Sequence, residues 1–356
     1  MKKSLLALAV LTAITGAASA QSSVTVYGKI DLGLVLDSGA AAGKSVRLDS
    51  GVSGGSRLGF KGVEDLGGGM KAAFQLETGF CADSAANTSG GTPAAQGNFC
   101  TGSNSFMGRQ AHGDLTGSFG ALSAGRQYSF DFLNLTTTDP FGTGLAGQTA
   151  NSNATATTYL VDPGAIRLNN SVQYTTPNMA GFTASAEVSF GETTGNWEGG
   201  REVGGALTYA SGPAYVSLTY YDKNNANGSG TAQKDYLLGA TYDFGVVKVH
   251  GLIQKVTGSP TGAAAVDWYA YMAGVTVPLG GGNLLASVIE HDDRTSFNRD
   301  ATQVGIGYMY PLSKRTSVYT AVARVSDKNG APYVIGNATD AGTGTKGFNL
   351  GMVHNF

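Results

Sequence analysis

The chain holds 356 residues, with 23 Lys or Arg against 25 Asp or Glu, and its formal net charge of −2 at pH 7 gives no basic excess that would suggest a nucleic-acid partner. Glycine is abundant (54) and proline scarce (9), a balance that suits many short strands joined by polar turns. The aromatic and β-branched content argues against low-complexity disorder.

The chain opens on a leader. Lys2 and Lys3 precede an apolar run over residues 5 to about 16, followed by Ala18-Ser19-Ala20. This is the pattern of a cleaved secretory signal over 1–20, with Gln21 as the first mature residue. The run is too short for a membrane-spanning helix, which needs roughly 20 apolar residues. Losing Lys2 and Lys3 leaves 21 basic residues against 25 acidic, a charge of −4. No later stretch has 18 consecutive apolar residues, so 21–356 reads as one domain without a transmembrane helix.

From Val24 onward, alternating segments recur without a convincing helix. In the first, Val24, Val26, Ile30, Leu32 and Leu34 share one face, and Thr25, Tyr27, Lys29 and Asp31 the other. The next places Leu58 and Phe60 opposite Arg57 and Lys61; the third sets Met70, Ala72, Phe74 and Leu76 against Lys71, Gln75 and Glu77. Near residue 186 the pattern is cleaner still, with Phe182, Ala184, Ala186, Val188 and Phe190 alternating with Thr183, Ser185, Glu187 and Ser189. A half-buried soluble sheet shows the same alternation, so this feature alone does not decide the class.

The connections decide it. Short Gly-, Pro- and Asn-bearing turns fall at 66–69, 116–120, 177–181, 211–213, 243–245, 278–282 and 311–314. Between them lie longer polar connections near 36–56, 81–105, 128–166, 192–200, 223–233, 257–266, 292–299 and 326–345. Strict alternation of seven short and eight long connections gives sixteen strands and trims one end of the sheet while elaborating the other. The fold class is therefore all-β: a 16-stranded antiparallel transmembrane β-barrel with short periplasmic turns and long extracellular loops. Tyr174, Tyr209, Tyr220, Tyr242, Trp268, Tyr269, Tyr308, Tyr310 and Tyr319 near strand ends fit interfacial girdles. The last run carries Phe348, Leu350, Met352, His354 and Phe356 on one face and is expected to pair with the first, because lipid tolerates no open sheet edge. The only cysteines, Cys81 and Cys100, flank a Gly/Ser/Thr/Asn/Ala stretch in the second long connection. Secretion favours a disulfide between them, worth roughly 3 kcal/mol, over a zinc site, for which no paired His is near.

Ser23-Val24-Thr25-Val26-Tyr27-Gly28 and the hairpin Ser56-Arg57-Leu58-Gly59-Phe60-Lys61-Gly62-Val63-Glu64-Asp65-Leu66-Gly67-Gly68-Gly69 carry a family likeness. So do Gly125-Arg126-Gln127, Asn170-Ser171-Val172-Gln173-Tyr174-Thr175-Thr176-Pro177, Leu312-Ser313-Lys314-Arg315-Thr316 and the terminal Phe356. Together they resemble trimeric Gram-negative general porins of the β-proteobacterial type, over the whole mature chain. The extended second loop with its two cysteines departs from most members. The resemblance implies localisation in the outer membrane of a Gram-negative bacterium, a homotrimer in contact with outer-membrane lipid and lipopolysaccharide, and no cofactor. It also implies that Phe356 is read as a signal by the outer-membrane assembly machinery.

The resemblance further implies that the third long connection, about 128–166, folds into the barrel and narrows it; Asp139-Pro140-Phe141-Gly142 resembles, with a changed acidic position, the turn at its tip. Its apolar side chains Phe130, Phe132, Leu133, Leu135, Phe141 and Leu145 also suit a packed loop better than a solvated one. Basic residues gather on inward parity nearby: Lys29, Arg57, Lys61 and Arg167, with Arg126 at the loop's start and Arg109 on a strand of poor alternation. The loop supplies Asp131, Asp139 and Asp162 and no base. A basic wall facing an acidic loop would set up a transverse field across the narrowest section, as in related porins. The expected function is passive diffusion of ions and small hydrophilic solutes with weak anion preference. A substrate-specific channel and a non-conducting structural or adhesive barrel are the alternatives. An enzyme is not expected: His112, His250, His291 and His354 are scattered and no nucleophile elbow or metal-ligand spacing occurs.

Overall fold

A computed structural model describes residues 23–41, 43–83, 106–151, 159–259, 265–331, 333–340 and 342–356. The leader (1–20) and Cys100 lie outside the described residues; Cys81 is half-buried and disulfide-bonded. The described chain forms β1 (Ser23–Ala40), β2 (Gly43–Ser50), β3 (Arg57–Gly67), β4 (Met70–Gly79), β5 (Gln110–Gly117) and β6 (Gly120–Tyr128). A helix, α1 (Phe130–Thr138), precedes β7 (Arg167–Thr175), β8 (Phe182–Ser189), β9 (Glu202–Ser211), β10 (Ala214–Asn224) and β11 (Thr231–Asp243). The series ends with β12 (Lys248–Gly258), β13 (Val266–Leu279), β14 (Gly282–Asp293), β15 (Ala301–Pro311), β16 (Thr316–Asp327) and β17 (Lys346–Asn355).

Apart from β2 and β3, each strand pairs antiparallel with its neighbour in sequence, and β17 returns to β1, with Lys29 opposite Asn355 and Ser38 opposite Lys346. Closure continues past the last strand, since Gly28 and Phe356 exchange both main-chain hydrogen bonds at 3.0 Å. The seventeen segments make a sixteen-stranded wall. Residues 23–29 of β1 pair with β3, and residues 32–40 pair with β2, so β2 and β3 are two lengths of one strand interrupted at 51–56.

That arrangement corrects one expectation. The connection near 36–56 is not a long loop but a hairpin that extends β1 to Ala40 and returns as β2. Alternation continues through it, with Leu36, Val46 and Leu48 exposed on the outer face. On the inner face the Arg47 guanidinium ties the limbs together, 2.9 Å from Asp37 and 3.2 Å from Asp49.

Burial runs inside-out relative to a soluble sheet. Leu238, Ile253, Val288, Val304, Ile306, Val322 and Leu350 are exposed on the outer face, while Ser217, Thr219, Gln254, Ser287, Gln303 and Asn349 are buried within. An apolar outer band around a polar interior is what lipid requires of a barrel, and it excludes the half-buried soluble sheet. Two aromatics expected in the girdles do not belong there. Trp268 and Tyr319 are buried on the inner face, and the Tyr319 hydroxyl donates to Asp31 at 2.5 Å. Inner parity outweighs their position near a strand end, because a residue's face is set by the period of two.

Gly28 marks the tightest point of closure. A Cβ there would lie 2.2 Å from the Phe356 ring and 2.7 Å from the Arg57 carbonyl oxygen. Gly28→Val is expected to cost about 1–3 kcal/mol by overpacking. The loss would show as a lower temperature for the folded-to-unfolded band shift on a detergent gel; an unchanged shift would contradict this account of closure.

Candidate functional site

The third long connection begins as a capped helix. Ser129 accepts from the Phe132 amide at 3.2 Å, and Asp131 sits in the first turn, where the helix dipole favours a carboxylate. Asp131, Asn134, Leu135 and Thr138 recur at helical spacing and are buried on one side, leaving Leu133 and Thr137 exposed on the other. The buried side is pinned to the wall. Thr219 donates to Asp131 at 2.6 Å, Asn134 donates to the Ser217 carbonyl at 3.0 Å, and His250 Nδ1 donates to the Thr138 carbonyl at 3.0 Å.

Beyond the helix, Asp139 organises the turn. Its carboxylate accepts from the amides of Phe141 (2.8 Å), Thr143 (3.0 Å) and Thr149 (2.9 Å) and from the Thr149 hydroxyl (2.7 Å). The loop then follows the inner wall. Gln303 donates to the carbonyls of Gly147 and Gln148, and the Leu145 amide reaches the Val52 carbonyl at 2.8 Å. Wall glycines make this close approach possible. A Cβ on Gly239 would meet Thr138 at 2.5 Å, one on Gly274 would meet Pro140 at 2.8 Å, and one on Gly305 would meet the Gly147 Cα at 2.7 Å. Val52, Leu145, Ala146, Leu160, Val161, Tyr333 and Ile335 form a buried apolar cluster where the loop meets the 51–56 and 328–345 segments.

The loop thus lines the β10–β15 half of the interior, and the opposite arc carries the bases. At its centre is Glu77, 2.7 Å from Arg109 Nε and 3.8 Å from Arg57 Nη1, with the Tyr27 hydroxyl donating to its other oxygen at 3.0 Å. Arg109 also donates to the Tyr128 hydroxyl at 2.7 Å; Arg167 donates to the same oxygen at 3.1 Å, its guanidinium 4.7 Å from the ring centroid. The segment at 51–56 closes the group. A Cβ on Gly54 would stand 3.0 Å from Lys29 Nζ and one on Gly55 3.0 Å from Arg109 Nη1. That segment is held by Asp31, which accepts from the amides of Ser53 and Gly54 at 2.7 Å each.

Lys29, Arg57, Arg109 and Arg167 are therefore brought together around two carboxylates, Glu77 and Asp31, and one phenol. Arg109 precedes β5 in a bend, where strand parity does not apply, which is why alternation left its facing undetermined. Lys61 stands apart, exposed on β3 with its ammonium 5.4 Å from the Tyr27 ring centroid. Arg126 sits at a register shift in β6 and spends its guanidinium on the Gly108 carbonyl and the Asn169 side chain.

The acids are placed otherwise than expected. Asp131 and Asp139 are buried in the loop's own anchorage, and Asp162 accepts from Gln233 at 2.7 Å and from the Gly164 amide at 2.9 Å. None of the three presents a carboxylate across the opening from the bases. Burial pushes all three carboxyls above the usual range, with the Thr219 donor opposing this at Asp131, the Thr149 donors at Asp139 and Gln233 at Asp162. A loop lying against a wall needs acceptors for its own amides, and these aspartates supply them. Sequence reading missed Glu77, Tyr27 and Tyr128 as a hub, because their meeting depends on cross-strand register. It also missed the glycine bed, whose one signal is glycine at inward parity.

The Gram-negative porin family matches residues 7–330 of this chain. The chain belongs to that family. The porin is 36% identical over 368 residues to outer membrane porin protein 32 of Delftia acidovorans, with 100% of both chains covered. It is 31% identical over 376 residues to an outer membrane porin of Bordetella pertussis, covering 90% of this chain and 93% of that one. Its fold matches an anion-selective porin from Comamonas acidovorans with a TM-score of 0.75 and 29% identity, over 94% of this chain and 100% of that one. It is an outer-membrane general diffusion porin, a water-filled barrel for ions and small hydrophilic solutes.

Asp139→Ala removes the acceptor for four donors of the loop. Leaving such donors unmet costs about 1–3 kcal/mol each where they stay buried. Single-channel recording is expected to show added current noise from a loosened loop while the barrel still inserts; quiet, wild-type traces would speak against the anchoring role.

Proposed function

We propose that this porin prefers small anions, and that the preference arises between the basic arc and the exposed face of the third loop. The observation that carries it is the charge count. Lys29, Arg57, Arg109 and Arg167 gather beside two carboxylates, Glu77 and Asp31, while Asp131 and Asp139 of the loop are buried in its anchorage and Asp162 is engaged by Gln233. Charges outside the opening are screened within about 8 Å at physiological salt, so this local excess outweighs the net-acidic chain. The similarity to a porin named as anion-selective supports the same sign. No bond-making step enters this function.

The outer face supports a reading of the oligomeric state as well. Tyr174, Tyr209, Tyr220, Tyr236, Tyr242, Tyr269, Tyr271, Tyr308 and Tyr310 face outward, all on β7–β15. The tyrosines of the remaining arc, Tyr27, Tyr128 and Tyr319, all point inward to Glu77, Arg109 and Asp31. Interfacial tyrosines belong where a surface meets lipid. Their absence from the outer face of β16, β17 and β1–β6 supports coverage of that arc by further copies of the chain, as in the homotrimer the family resemblance implies.

Reversal potentials in a KCl gradient across planar bilayers test the first reading, and the expected sign is chloride preference. Arg167→Gln removes one charge, worth about 1 kcal/mol at 4 Å in water, and should lower the chloride-to-potassium permeability ratio up to about fivefold. Cation preference in the wild type would overturn the proposal. For the second reading, Leu34→Glu on the tyrosine-free arc should abolish the oligomer band of unboiled samples while the monomer keeps its heat-dependent shift. An intact oligomer band would count against it.

A further inference from the structure

We infer a second solute site beside the basic arc, built of uncharged amides and hydroxyls, that takes the hydroxylated end of a short organic anion whose carboxylate rests on Arg109 and Arg167. The inference builds on the anion preference proposed above and adds a substrate class to it. A recess of about 290 Å³ is lined by β4–β7 and the exposed Leu133 of α1. Four primary amides face it, Gln75, Gln110, Gln127 and Gln173. Each carries two donors and a two-lone-pair acceptor without net charge.

The single acid of the recess is already engaged. Asp114 Oδ1 lies 2.9 Å from His112 Nδ1 and accepts from the Ser123 hydroxyl at 2.5 Å. Two of the amides are held in fixed planes. Gln127 donates to Ser171 at 3.1 Å, and Gln173 donates to the Tyr128 carbonyl at 2.8 Å and to the Glu187 carboxylate. Gln110 makes no side-chain hydrogen bond among the described residues and stands opposite Glu77 in the β4–β5 register, beside the basic hub.

Tyr128 joins the two halves. Its hydroxyl accepts from Arg109 and Arg167, while its ring lines the recess and stacks on Phe132 at 5.1 Å between centroids. A carboxylate at the guanidinium pair therefore has its chain directed toward amides that pair with hydroxyls, and Leu133 offers an apolar contact for the C–H faces. Gln110, which has no side-chain partner among the described residues, favours a hydroxylated solute because one lacking that group offers it no hydrogen bond. The volume lies at the small end of ligand pockets, which restricts the solute to a monomer such as a sugar acid.

The test uses the intact porin in planar bilayers, titrating D-gluconate, propionate and sorbitol against the KCl current. Gluconate is expected to reduce the current saturably, with half-block at a concentration at least about tenfold below that of propionate or sorbitol. Gln110→Ala should raise the gluconate half-blocking concentration about fivefold, the worth of one hydrogen bond. Equal block by gluconate and propionate in the wild type, with chloride preference intact in the same channels, overturns the recess as a site. Equal block by gluconate and sorbitol overturns the role of the guanidinium pair. A reversal potential of the opposite sign overturns the charge reading beneath both. The wild-type comparisons stand even where the variant does not assemble.

Discussion

In hydrocarbon, no water is available for a backbone amide or carbonyl, so a sheet survives there only when every strand has a partner on both sides. The pairing of β17 with β1, extended by Phe356 and Gly28, supplies the last of those partners. Much else follows from it. Closure sets the two sheet faces as an outside and an inside, the period of two assigns each side chain to one of them, and lipid forces the apolar set outward. The same condition explains why the second wall strand is broken where it is. The break at 51–56 lies on the inner side, where Asp31 accepts the freed amides and the third loop packs against Val52.

The interior is divided along the circumference. On the β10–β15 side, inward glycines and buried apolar residues create a bed for a segment with its own helix, cap and aspartate-centred turn. On the β1–β7 side, register gathers lysine and arginine side chains around Glu77 and Tyr128. Between them the carboxylates divide by task. Those of the loop satisfy amides and hydroxyls behind it, while Glu77 orients guanidinium groups in front. Bases therefore outnumber carboxylates on this arc even though the whole chain is slightly acidic. Field strength at a constriction is set by the charges that reach it, not by composition.

Beside that charged arc, an amide-lined recess offers a different kind of recognition. Guanidinium groups attract any small anion at range, whereas fixed amides act only at contact and only on matching groups. A diffusion channel that combines the two sorts solutes first by charge and then by hydroxylation. Tyr128 carries the link, since one side chain accepts from the cations and also walls the recess.

Alternation, the rhythm of short and long connections and the aromatic ending were enough to establish a sixteen-stranded antiparallel barrel from the sequence, because face and turn are local properties that repeat along the chain. The likeness of the Arg57 hairpin and its companion motifs extended that to a family. Lys29, Arg57 and Arg167 were legible as inward bases for the same reason. Local pattern failed wherever the period broke or a partner was distant. Arg109 lies in a bend, the 36–56 connection hides a hairpin, and Trp268 and Tyr319 sit near strand ends but face inward. The loop aspartates were visible as charges, yet only the docked loop shows that they face the wall. Which charges meet, and which are spent on holding the backbone, depends on contacts between residues up to hundreds of positions apart, and such contacts exist only once the barrel has closed.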